Sequence, residues 1–244
     1  MLTNIKSMKE LYRDAKEITN DLGDDISIYK EGTHPVICEI DEKDLDKLLE
    51  DNNYVFDPKG DQENVIYVIR DYKFEKRLHI NTRASVALIN CLSIDGINAI
   101  NADMLYLEDN YYFFLHPEEL DGEEFITTKN VNSIILCNDN MKNRNISKNL
   151  NIDVFLNAKR IFMENSRIKT KKGKVNITAK ETKFINSDVE ADDVTLNLEE
   201  KPKSDKESTI TSKTLHWFGE MGSKVELDFK KFDRQKEVSK TLKK

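Results

Sequence analysis

Apolar and polar side chains alternate in short runs through the second half of the chain. Val154, Leu156 and Ala158 interleave with Asp153 and Asn157; Val175, Ile177 and Ala179 with Lys174, Asn176 and Thr178; Val194, Leu196 and Leu198 with Thr195 and Asn197. A two-residue period places one set of side chains on the buried face of a strand. Helical spacing of three and four is absent. The runs return after about 21 residues, a repeat length that signals a stacked architecture. Asn165-Ser166-Arg167-Ile168-Lys169-Thr170 lies above Asn186-Ser187-Asp188-Val189-Glu190-Ala191, and that above Glu207-Ser208-Thr209-Ile210-Thr211-Ser212. The same register predicts columns of Val154, Val175 and Leu196, and of Leu156, Ile177 and Leu198.

Short strands that wind in one direction bring equivalent residues within about 4.8 Å of each other. Ile168, Val189 and Ile210 then stack inward. Each buried aliphatic side chain contributes roughly 1.5–3 kcal/mol. Asn165 over Asn186 predicts a carboxamide ladder, and Ser166, Ser187 and Ser208 a hydroxyl column beside it. Outside, Arg167 faces Asp188 and Lys169 faces Glu190, pairs that help set register. This stretch resembles the coils of right-handed parallel β-helix proteins. The resemblance implies a mainly β fold: a single-stranded parallel β-helix of about five or six coils.

The pattern differs before residue 76. Ser7 to Asn20 reads as a capped helix, Ile26–Tyr29 and Pro35–Ile40 as strands, Glu42 to Asp51 as a second helix capped by Asp41, and Asn64–Ile69 as a strand. These predict a small α/β unit over residues 1–75. The β-helix is expected over 76–229. Its earlier, less regular turns include Ala84, Val86 and Leu88, and the series Val131, Ser133, Ile135 and Cys137, read as 21 residues ahead of Ile152 to Ala158. Cys137 on that column is an inward thiol. Glu199 to Glu207, with Pro202, reads as a mobile loop. Leu215 and Trp217 close the inward columns, Val225, Leu227 and Phe229 suggest a further strand, and residues 230–244 form a basic helix or tail.

Composition narrows the partners. The chain has 244 residues, 38% hydrophobic and 34% charged, with net charge −7. Such a balance suits a solenoid with a thin core, and it disfavours a general nucleic-acid binder. Acidity concentrates in the first 60 residues, most densely at Asp41, Glu42, Asp44, Asp46, Glu50 and Asp51. That run is either a solvated helix face or a contact surface for a basic groove. A second candidate contact is Tyr111, Tyr112, Phe113 and Phe114, interrupting the repeat between Glu108 and Glu124. Its alternative reading is one more strand with Tyr111, Phe113 and Leu115 inward.

Catalytic chemistry finds little support. Cys38, Cys91 and Cys137 are widely spaced, and His34, His79, His116 and His216 have no partner at metal-ligand spacing. No phosphate-binding loop, dinucleotide fingerprint or nucleophile elbow occurs. Asp188, Glu190, Asp192 and Asp193 are the best carboxylate cluster for a polysaccharide-active enzyme, but Asp188 and Glu190 have cationic neighbours one coil down, which suits them to structure and not to the work of a general acid. The expectation is therefore no catalytic residue, no metal and no cofactor. No leader and no membrane span is read, and a cytoplasmic setting is expected. The favoured function is non-catalytic binding of another protein through a basic surface on that partner, of the inhibitor or immunity type, including phage-encoded inhibitors of host defence. A self-assembling scaffold, in which the chain forms homo-oligomers, and a carbohydrate-active enzyme are the alternatives.

Overall fold

The computed structural model describes residues 36–59, 64–113, 124–142, 153–170 and 173–219. The helix at Ser7–Asn20, the strands at Ile26–Tyr29 and Val225–Phe229, the residues Phe114 and Leu115, and the tail 230–244 lie outside them. In chain order the elements begin with β1 (Val36–Glu39), α1 (Glu42–Asp51), β2 (Val55–Phe56), β3 (Val65–Arg70), β4 (Lys73–Phe74) and β5 (Leu78–Asn81). Then come β6 (Ser85–Ile89), β7 (Leu92–Ile94), β8 (Ile97–Glu108), β9 (Tyr111–Phe113), β10 (Glu124–Cys137) and β11 (Asn140–Lys142). The last are β12 (Asp153–Glu164), β13 (Arg167–Lys169), β14 (Lys174–Ile185), β15 (Asp188–Leu198), β16 (Lys203–Ser204) and β17 (Thr209–Gly219).

The fold is mainly β, and every strand pairing among the described residues is parallel. A 14-stranded sheet holds most of the strands, and β4, β7 and β9 form a separate one of 3. The pairings fall into three ladders that the chain feeds in turn, a pattern consistent with a β-solenoid. The first runs through β1, β3 and β6, the C-terminal halves of β8, β10, β12 and β14, and β16. The second takes β4, β7 and β9 and, past a gap in the pairing between β9 and β11, continues through β11, β13 and the starts of β15 and β17. The third takes β2, β5, the N-terminal halves of β8, β10, β12 and β14, and the ends of β15 and β17. β1 to β4, inside the segment read as an α/β unit, pair into these same ladders.

The corner between the first and second ladders has a local cause. Asp71, Asn90, Asp109, Asn138, Asn165 and Asn186 each follow a first-ladder strand, and all have φ between 44° and 54°. Such left-handed backbone costs a residue with a Cβ roughly 1–2 kcal/mol, and Asn and Asp tolerate it best because their short polar side chains bond locally. The expected amide contact is present, Asn186 Nδ2 donating to Asn165 Oδ1 at 2.8 Å, and Asn90 Nδ2 donates in the same way to the Asp71 carboxylate at 2.5 Å. The next corner, at Asp95-Gly96, needs glycine. Gly96 has φ +91°, and a Cβ there would sit 2.0 Å from the Phe125 carbonyl oxygen.

Inside the ladders runs one continuous core. Ile168, Val189 and Ile210 stack in register, as the repeat predicts. So do Val194 with Leu215, and Leu196 with Trp217. Two columns need correction. Val175 pairs with Val194, and Ile177 with Leu196, so here the step is two residues shorter than expected. A shift of two keeps every side chain on its face, which is why the alternation alone cannot detect it. Likewise Val131 pairs with Ala158 and Cys137 with Glu164, not with residues 21 positions on. Cys137 is accordingly half-buried and packs in a different cluster.

That second cluster lies across the first ladder from the main core: Ile37, Ile66, Val68, Ala87, Met104, Tyr106, Ile135 and Phe162 are all buried there. The first ladder thus buries both faces, which explains near-continuous apolar runs such as Val65–Ile69. The 199–207 segment is also more ordered than a loose loop. It contains β16, paired with β14, and a buried Pro202.

Candidate functional site

The acidic helix α1 forms as the sequence predicts. Asp41 caps it, accepting a hydrogen bond from the Asp44 backbone N–H at 2.8 Å, and Leu45 and Leu49 bury one face in the core. Asp41, Glu42 and Asp46 are exposed, and Asp44 is half-buried. The last turn carries no basic residue, yet Glu50 and Asp51 stand there. Acids at a helix C-terminus oppose its dipole by about 0.3–1 kcal/mol. Their placement therefore lowers helix stability instead of raising it.

The helix is tied to the second ladder. Asp46 Oδ1 accepts from the Tyr72 hydroxyl at 2.5 Å. Burial first, and then Asp46, raises the Tyr72 hydroxyl well above its ordinary range, so it stays a donor. Tyr72 packs edge-on against Phe74, the last residue of β4, with ring centroids 4.8 Å apart. From β4 the sheet steps to β7 and β9, with Lys73, Leu92 and Tyr111 in one register column and Ile94 beside Phe113.

The aromatic segment is a strand, as the alternative reading has it, but its facing is opposite to the one that reading gives. Tyr112 is buried, while Tyr111 is 43% and Phe113 37% exposed. Strand alternation forces this choice once Tyr112 meets Phe125 edge-on in the core, centroids 5.4 Å apart. The structure therefore separates the four aromatics. Tyr111 and Phe113 share the outer face of β9, Tyr112 belongs to the interior, and Phe114 lies outside the described residues. The outer face sits two strands from β4, roughly 10 Å away at ordinary strand spacing. The acidic helix reaches this sheet at its β4 end, through the Tyr72–Asp46 hydrogen bond.

Tyr112 leads to a buried polar cluster that no sequence pattern flagged. Its hydroxyl donates to Asp139 Oδ2 at 3.0 Å, and Asn110 Nδ2 donates to the same oxygen at 3.1 Å. Asn110 also donates to the Leu88 carbonyl and accepts from the Cys91 N–H. The Asp139 N–H donates to Ser166 Oγ, the Ser166 N–H to Ser187 Oγ and the Ser187 N–H to Ser208 Oγ. One polar column thus threads the inside of the corner from Cys91 to Ser208. Asp139 is fully enclosed and its Oδ1 has no partner. Burial pushes its carboxyl up to about 7, against the donors Asn110, Tyr112 and the Asn140 N–H, which favour the carboxylate. Burial likewise pushes the Cys91 thiol up to about 11. A group so enclosed meets no substrate. It sets register, and only the serine part of the column, a repeating Asn-Ser pair, is legible in the sequence.

Three of the four carboxylates considered for catalysis are engaged by a cation one strand away, and the fourth, Asp193, faces the ring of His216. Arg167 Nε lies 3.3 Å from Asp188 Oδ2, Lys169 pairs with Glu190, Lys213 Nζ lies 2.6 Å from Asp192 Oδ2, and His216 lies 3.8 Å from Asp193. Among the described residues no cluster of His, Cys, Asp and Glu converges as metal ligands would. No described helix is long and apolar enough to cross a membrane. The chain matches no family model, no curated protein and no solved structure.

Proposed function

We propose that the chain winds as a parallel β-helix and acts as a non-catalytic binding protein, docking a protein partner on the outer face of β4, β7 and β9. The observation that carries this reading is the pair Tyr111 and Phe113, large rings left open on the outer face of a sheet whose β4 end is tied to the acidic helix α1 through Tyr72 and Asp46. Exposed aromatics on a rigid surface act as anchors, because two χ angles are all they give up on docking. The acids of α1 select a basic partner surface and speed encounter. An inhibitor or immunity role, including inhibition of a host defence by a phage product, matches a surface that occludes and does not react.

The experiment compares the wild-type chain with the double variant Tyr111→Ala/Phe113→Ala and with Glu42→Gln/Asp46→Asn. Each is immobilised and offered cell extract, with quantitative mass spectrometry of what is retained. A basic protein held by the wild type and lost from the aromatic variant supports the reading. Equal retention by all three chains, or retention of nothing, removes it.

A further inference from the structure

A groove of about 790 Å³ crosses the third ladder at one level, touching β10, β12, β14, β15 and β17 in succession. Its long axis runs along the stack, perpendicular to the strands, for roughly 20 Å at ordinary strand spacing. Asn157, Thr178, Asn197 and Phe218 form one register column along it. Lys129, Lys159 and Lys180 border it, all exposed. Lys180 shares its charge with Glu200 at 3.7 Å, but Lys129 and Lys159 have no ion pair among the described residues. Glu199 is the one carboxylate in the lining. A net positive groove on a chain of net charge −7 is a local reversal of sign.

The rest of the lining is built for hydroxyl groups. Asn197 Nδ2 is committed to Thr178 Oγ1 at 3.2 Å, which fixes its carbonyl oxygen as a ready acceptor. Asn130 Nδ2 is committed to Asn101 Oδ1 at 3.0 Å, which fixes Asn130 Oδ1 in the same way. The Asn157 carboxamide makes no hydrogen bond among the described residues and offers both a donor and an acceptor. At the far end Phe218 is 59% exposed, the most open of the large hydrophobic side chains described.

Three classes of linear ligand can be weighed. An extended peptide would draw its affinity from main-chain bonds to a strand edge it runs beside, but β10, β12, β14 and β15 are each paired on both sides along this ladder, and a ligand lying along the stack runs perpendicular to β17, which has one described pairing. Single-stranded nucleic acid favours a series of aromatic platforms and a broadly basic surface, whereas here one ring stands in an acidic chain. A sugar polymer uses what is present: amides for hydroxyls, a ring for the apolar face of a pyranose, and cations for acidic substituents. One strand step, about 4.8 Å, is close to the length of one sugar unit.

We propose that this groove binds a linear anionic glycan along the stack, with Lys129, Lys159 and Lys180 meeting its carboxylate or sulfate groups and Phe218 one ring face. The site is separate from the face of Tyr111 and Phe113 and stands or falls independently of it.

The test is calorimetric titration of the full chain with oligomannuronate, a sulfated oligosaccharide, a neutral mannan oligosaccharide and oligothymidylate. At least one acidic glycan binds, more weakly as salt rises, because the contacts are exposed charge pairs; the uronate and sulfate arms identify which acid is read. Lys129→Gln/Lys159→Gln weakens binding by roughly tenfold, the scale of losing two charge contacts, and Phe218→Ala by severalfold. Tyr111→Ala/Phe113→Ala binds glycan as the wild type does. The proposal is overturned if neither acidic glycan binds, if neutral mannan binds as well, if oligothymidylate binds more tightly, or if the lysine variant is unchanged. Thermal melting checks each variant; should the double variant unfold, Lys159→Gln alone and the wild-type salt dependence decide.

Discussion

The Tyr112 hydroxyl and the Asp139 carboxylate meet at 3.0 Å across 27 residues of chain, inside the corner where the first two ladders join. Burial of that acid, not the contact itself, raises its pKa; the donated hydrogen bond favours the carboxylate and is outweighed. The folded-state value of Asp139, about 7, lies above its ordinary 3.8. The folded chain therefore holds a proton that the unfolded chain releases. The stabilisation tied to that proton is complete below the ordinary carboxyl range and is lost as pH rises through about 7. Urea denaturation of wild type and Asp139→Asn across this range should show the wild type losing a few kcal/mol relative to the variant as pH rises. A difference that does not change with pH would mean the acid is not held protonated.

Gly96→Ala should be among the most damaging single substitutions. The added Cβ meets the Phe125 carbonyl oxygen at 2.0 Å, and the φ of +91° is itself strained for alanine. A loss of about 3 kcal/mol or more is expected, read as a lowered urea midpoint or failure to fold. Neighbouring Asp95→Gly, where φ is 60°, should be tolerated. Equal damage from both would point away from the clash.

Asn165→Ala and Asn165→Gly separate backbone from side chain. Alanine loses both the tolerance for φ 46° and the bond from Asn186 Nδ2, while glycine loses only the bond. Alanine should cost about 1–2 kcal/mol and glycine less. Matching costs in chemical denaturation would show that the left-handed backbone is not what the residue is there for.

Ile168→Ala opens a cavity between Met141 and Val189, its neighbours in the strand stack. A cost of about 2–5 kcal/mol is expected, since stacked neighbours on both sides restrict collapse. Ile168→Val should cost about 0.5–1.5 kcal/mol. Calorimetric melting gives both values, and a negligible loss from alanine would contradict a close-packed interior there.

Much of this architecture is legible in the residues. Alternation reveals the strands, and the Asn-Ser pair reveals the corner, because few residue types serve left-handed backbone and an inward hydroxyl together. The cap at Asp41 and the α1 face of Leu45 and Leu49 follow from local spacing alone. What fails does so for a physical reason. The slip of two residues between β14 and β15 preserves facing, so hydrophobicity is blind to it. The facing of β9 depends on Tyr112 reaching Asp139 and Phe125, both far off in sequence. The second apolar cluster, around Tyr106 and Ile135, departs from one-sided alternation and so weakens the signal in the first half of the chain. The groove escapes notice because Lys129, Asn157 and Phe218 are ordinary surface residues until the ladder aligns them.

The six-residue corner column of Asp71, Asn90, Asp109, Asn138, Asn165 and Asn186 has one more consequence. A chain could make these bends with glycine, whose unfolded form wanders most widely and so surrenders the most conformational freedom on ordering. This chain carries only 8 glycines. By assigning the bends to residues with a Cβ, it narrows its own denatured ensemble. The steric penalty is carried at six fixed points by the folded form, and the entropic penalty is lightened in the unfolded one.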